Sequence, residues 1–205
     1  MRLSTRSLLA TALLAAVPLM ANAESQFTTG AGTPITASAK LDFQITIPKI
    51  LFLQVGTGTN LATNPAVDLI AFDLSGVAAT VGNGTPVAAT AGSGDVGNGK
   101  VTAKVLGNNG TISLSSIVPN KLLNGAGDSI SFSQIAITTT NPLLTSPALV
   151  DNTTTTVSLI PAAGKVFNQT ATWTYSYLNS AVVAPGTYGG VNVNNGRVTY
   201  TASMP

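Results

Sequence analysis

The chain has 205 residues, and only 8% of them are charged, against about 25% in an ordinary soluble domain. It contains no cysteine and no histidine, which excludes a disulfide framework, nucleophilic triads built on His, and His or Cys metal sites. Nine Lys and Arg face seven Asp and Glu, and two of the nine are Arg2 and Arg6, so residues 24–205 are formally neutral and carry no basic track for nucleic acid.

Met1–Ala23 has the pattern of a secretory signal peptide. Arg2 and Arg6 give a basic start, an apolar run spans Leu8 to Met20, and Ala21-Asn22-Ala23 is a small-x-small cleavage site. The mature protein is expected to begin at Glu24 and to work in the periplasm, at the cell surface or in the medium. No later apolar stretch is long enough for a ~20-residue membrane helix. Residues 24–34 read as a flexible polar N-terminus, and residues 35–205 as a single β domain.

Thr, Asn, Gly, Pro and Val dominate after residue 23 and favour strands and turns over helices. The cleanest alternation runs from Ile35 to Ile47. Ile35, Ala37, Ala39, Leu41, Phe43, Ile45 and Ile47 fall on one face of an expected strand, and Pro48 ends it. A second strand follows at Ile50–Val55. Further strands are expected at Val67–Leu74, Lys100–Leu106, Thr111–Val118, Ser129–Thr138, Thr155–Ile160 and Thr170–Leu178. The last pair is Gly186–Val193 and Arg197–Ser203, joined by the hairpin signal Asn194-Asn195-Gly196. Asn108-Asn109-Gly110 signals another hairpin. Residues 76–99 read as a long loop with room for one short strand, and residues 141–147 as a second loop. About nine or ten short strands with frequent turns predict an antiparallel, Ig-like β-sandwich, with a closed barrel as the alternative. Leu41, Phe43, Ile45, Trp173, Tyr175, Val198 and Tyr200 are the expected core.

Chemistry-bearing motifs are few. The acids are scattered along the chain, each flanked by strand or turn residues. Gly92-Ser93-Gly94-Asp95-Val96-Gly97 matches G-x-G-x-x-G, but a strand pattern follows it where a phosphate site needs a helix N-terminus. No catalytic residue, cofactor site or metal site is expected, and the protein reads as a non-enzyme. Asn83, Asn109, Asn152 and Asn168 head Asn-x-Ser/Thr sequons, which matter only in a glycosylating host. Trp173, Tyr175 and Tyr177 alternate with Thr and Ser. They suit either a half-buried core strand or a platform that stacks on a sugar.

The alternating segment Ile35–Ile47 and the C-terminal Pro185-Gly-Thr-Tyr-Gly-Gly190 leading into Arg197–Ser203 resemble the subunits of bacterial fimbriae of the cysteine-free, pilin type. That resemblance implies an incomplete Ig-like sandwich completed by a strand from a neighbour. It also implies fimbrial or other surface subunits as partners, a periplasmic chaperone, and a role in cell adhesion. Residues 24–34 are too polar to supply such a strand. Leu41, Phe43, Ile45 and Ile47 are therefore the candidate strand-exchange residues. The expected function is a secreted structural or adhesive surface protein assembling by strand addition. The alternative is a secreted carbohydrate-binding module using Trp173, Tyr175 and Tyr177.

Overall fold

The computed structural model describes residues 24–205, and the signal-peptide assignment lies outside them. The described chain falls into two units, one ending at Ile47 and one spanning Pro48–Pro205.

In the first unit, residues 24–47 form no helix and no strand. Side chains hold residues 24–28 opposite residues 36–40. Thr28 Oγ1 donates to the Thr36 carbonyl at 3.1 Å, and Gln26 Oε1 accepts from the Ser38 N–H at 3.1 Å. Lys40 and Glu24 approach to 3.9 Å, both exposed, which stabilises little. Among the described residues, 41–47 have no such partner. The expected strand at Ile35–Ile47 is therefore absent. Alternation prepares a face, but a strand exists only where a second backbone supplies its hydrogen bonds.

The second unit is all-β, with antiparallel pairing throughout. In chain order its strands are β1 Leu51–Val55, β2 Val87–Ala88, β3 Lys100–Gly107, β4 Ile112–Val118 and β5 Leu122–Leu123. They continue with β6 Ser129–Ile130, β7 Ile135–Thr139, β8 Thr153–Leu159, β9 Phe167–Tyr177 and β10 Thr199–Ser203. Two 3-10 turns, Ser75–Thr80 and Phe132–Gln134, interrupt them. One sheet has the order β1-β3-β9-β2, with β7 on the other side of β9. A second has the order β10-β4-β8, and β5 and β6 form a small ribbon.

Alternation decides what packs between the two main sheets. On β9, Phe167, Ala171, Trp173, Tyr175 and Tyr177 point inward, while Thr170, Thr172, Thr174 and Ser176 point out. The register sets Trp173 between Val101 of β3 and Thr139 of β7. From the facing sheet, Ile112, Leu114 and Val118 of β4 and Leu159 of β8 close the same core. Burying a large apolar side chain here stabilises by ~1.5–3 kcal/mol. Ser116 is the polar member of the inward row on β4. Its hydroxyl donates to the Ala148 carbonyl at 3.0 Å and meets Thr155 Oγ1 at 2.9 Å, so its burial leaves no orphan.

Within the second unit, further expected elements differ from the structure. Val67–Leu74 forms no strand, because its backbone serves the neighbouring loop: Ala71 O accepts from Thr90 N, Leu69 O from Gly94 N, and Ala71 N donates to Ser93 Oγ. Ser129–Thr138 is broken by the turn at Phe132–Gln134, with Ser131 capping Ser133 N. Gly186–Val193 is irregular, since Gly189, Gly190 and Asn192 adopt positive φ that extended backbone does not allow. Asn108-Asn109-Gly110 is no hairpin turn, because β3 and β4 belong to different sheets. The Asn108 side chain instead spans the start of β1, donating to Pro48 O and accepting from Ile50 N. Asn194 and Asn195 do take the left-handed φ values of a tight turn, 48° and 60°. That turn docks on residues 121–123 through Asn195 Nδ2 and Asn194 O.

Candidate functional site

The acidic residues of the second unit are dispersed, and the partnered carboxylates tie turns and loops together. Asp68 accepts from the Thr57 backbone and hydroxyl, Asp95 from Thr102 N, Asp128 from Asn124 Nδ2 and Asp151 from Phe132 N. Asp73 accepts from Ser75 N, and hydrogen bonds from the Ser75 backbone and hydroxyl lower its carboxyl below the usual range. Among the described residues, no three acids gather in one place.

The glycine-rich segment folds onto itself. Gly94 and Gly99 sit at φ of 76° and 71°. Their N–H groups donate to Leu69 O and Ser93 O, and Lys100 N donates to Gly97 O. An anion-binding loop must aim such donors at an open concavity, and here they close a turn before β3. A Cβ at Gly94 would stand 2.2 Å from Lys100 O, so tight chain passage explains this glycine.

The aromatic face points into the core. Trp173 is fully buried, and its indole N–H donates to Leu144 O at 2.9 Å. Tyr175 and Tyr177 are buried as well, at 7% exposure each. Trp173 packs against Tyr200 with ring centroids 5.5 Å apart. Burial raises the Tyr175 phenol well above its ordinary value, with Tyr200 adding to the shift, and burial raises Tyr200 too. A stacking platform needs exposed ring faces, so the structure takes Trp173, Tyr175 and Tyr177 out of the candidate ligand site. It places Trp173 and Tyr175 in the core as expected, with Val198 and Tyr200 packed partly buried against it.

The candidate strand-exchange residues behave oppositely. Leu41, Phe43, Ile45 and Ile47 are 68%, 85%, 84% and 76% exposed, which overturns the expectation that Leu41, Phe43 and Ile45 lie in the core. They alternate with Asp42, Gln44 and Thr46 on backbone that has no sheet partner among the described residues. Folded chains seldom leave consecutive same-face apolar residues bare, and a run of them marks an interaction surface.

A third feature was not legible in the sequence. Beside β7, a groove of about 370 Å³ opens between Ile135 and Ile137 on one wall and the extended segment 146–150 on the other. No charged side chain lines it. The alternation of Ile135 and Ile137 was visible inside the expected strand Ser129–Thr138. That β7 stands at a sheet edge was not.

Among the described residues, no helix is long and apolar enough to cross a membrane. No family model, curated protein or solved structure matches the chain.

Proposed function

We propose that this chain is a secreted, non-enzymatic surface subunit that self-associates by adding residues 35–47 of one copy as a strand to the next. The observation that carries this reading is the bare row Leu41, Phe43, Ile45 and Ile47. A free polypeptide with four large apolar residues on one side gains by laying that side into a sheet, where the backbone is paired and the side chains leave water. The low charge of the chain supports the same reading, because copies repel one another little. Fimbrial assembly and adhesion follow as the expected roles of such a polymer. The test is direct. Mature protein purified from the exported fraction is followed by size-exclusion chromatography and electron microscopy. Strand-linked fibres or oligomers are expected, and a protein that remains monomeric at high concentration overturns the reading.

A further inference from the structure

We propose that the free edge of β7 is the acceptor for Phe43–Ile47 of a second copy; this rests on the strand-addition reading above and assigns it a site.

The backbone of β7 supplies the first argument. Two hydrogen bonds frame its ladder with β9: Leu178 N donates to Gln134 O at 2.7 Å and Thr140 N to Thr172 O at 3.1 Å. In an antiparallel pair they fix the parity. Residues 134, 136, 138 and 140 bond to β9, and the N–H and C=O groups of Ile137 and Thr139 face away from it. Among the described residues no strand pairs on that side. The N–H of Ile135 closes on Phe132 O, which leaves its carbonyl at the same edge. A row of outward donors and acceptors is a template for another strand.

The side chains supply the second argument. Ile135 and Ile137 point inward opposite Tyr177 and Tyr175. The tyrosines are buried and the isoleucines only half-buried. What bares them is the groove of about 370 Å³ before residues 146–150. The opposite side of the sandwich offers less room, because β1 and β10 approach each other across the two sheets.

The third argument is the match between tail and edge. The edge strand Ile135-Ala-Ile-Thr-Thr139 has five residues. Phe43-Gln-Ile-Thr-Ile47 is a five-residue segment of the same alternation. Paired side by side, Phe43, Ile45 and Ile47 enter the groove, and Gln44 and Thr46 join Ala136 and Thr138 on the outer face. Neither segment nor the groove wall carries a charge, so insertion buries none. Pro48 lacks an N–H and ends the added strand where the segment ends.

The absence of native cysteine makes a cross-linking test clean. Thr138→Cys is combined in the mature chain with Asp42→Cys, Gln44→Cys or Thr46→Cys, which samples three registers. Assembly is allowed to proceed before mild oxidation. The expected result is a ladder of disulfide-linked multimers for at least one pair, collapsed by reductant. The same three tail variants are combined with Thr201→Cys on the outer face of β10. A ladder only in that set moves the acceptor to β10, which overturns this proposal and leaves strand addition standing. A cross-link confined to a single chain overturns the intermolecular pairing. Absence of both ladder and polymer overturns strand addition itself. Hydrogen exchange on unmodified protein decides the matter if the cysteine variants fail to assemble. The amides of Ile137 and Thr139 are expected to slow on assembly, and unchanged exchange there in assembled material overturns the site.

Discussion

The hydroxyls of Tyr175 and Tyr200 meet at 3.0 Å, one from β9 and one from β10, so a single hydrogen bond joins the two sheets inside the core. Tyr200→Phe leaves the buried Tyr175 hydroxyl without this partner, at a cost of about 1–3 kcal/mol. Tyr175→Phe with Tyr200→Phe removes both hydroxyls and is expected to cost less than the single change. Urea unfolding of the three variants checks the order.

The same pair makes stability sensitive to alkali. Burial raises both phenols in the folded state, whereas the unfolded chain titrates near the ordinary phenol value of about 10. The folded state therefore holds its protons longer. The contribution is fully present below about pH 10 and is lost as pH rises toward the raised folded values. Unfolding free energy is expected to fall above about pH 10 in the native protein, and less steeply in the double Phe variant. Denaturation at a series of alkaline pH values measures the slope.

Trp173→Ala is expected to cost ~3–5 kcal/mol, because the ring fills the centre of the core and its N–H is paired with Leu144 O. Native Trp173 fluorescence should resist quenching by acrylamide. A strongly quenched emission that soluble glycans protect would restore the carbohydrate platform.

Asn179 is buried at φ 52° and ties the chain after β9 to the loop before β2. Its Oδ1 accepts from Gly82 N at 2.7 Å, its Nδ2 donates to Thr80 O at 2.8 Å, and its carbonyl accepts from Gly84 N. Asn179→Ala leaves Gly82 N and Thr80 O without their side-chain partners and strains a left-handed backbone, for a loss of about 2–4 kcal/mol. Asn179→Gly relieves the backbone and not the hydrogen bonds, so its loss should be the smaller by about 1 kcal/mol. Thermal melts of the two variants give the difference.

Phe43→Asp is expected to leave monomer stability within ~0.5 kcal/mol, since the ring is bare in the monomer. It is expected to abolish polymers, because a carboxylate would have to enter an apolar groove. Chemical denaturation and electron microscopy on one preparation separate the two effects. An unfolded mutant monomer would show that Phe43 belongs to its own core.

Much of the fold was written locally. Lys100–Gly107, Ile112–Val118 and Phe167–Tyr177 each carry an alternation that names the buried row and the wet row, and the structure follows it. Secondary pattern fixes such strands because each side chain's face follows from its parity along the chain. Turn chemistry was legible at Asn194-Asn195 as a left-handed turn but not as a hairpin, since no strand leads into it, and it misled at Asn108-Asn109, where the strands on either side part into different sheets.

Pairing was decided only in three dimensions. Ile35–Ile47 and Thr170–Leu178 look alike as sequence, yet Trp173 is fully buried and Phe43 is 85% exposed. β9 has β3 and β2 along one side and β7 along the other, whereas residues 41–47 pair with no strand among the described residues. The open edge of β7 is equally invisible in Ile135–Thr139. Composition and alternation determined an all-β, nearly uncharged chain. Which alternating segment is core and which is left bare follows from long-range hydrogen bonds, whose partners are set by topology and not by the residues nearby.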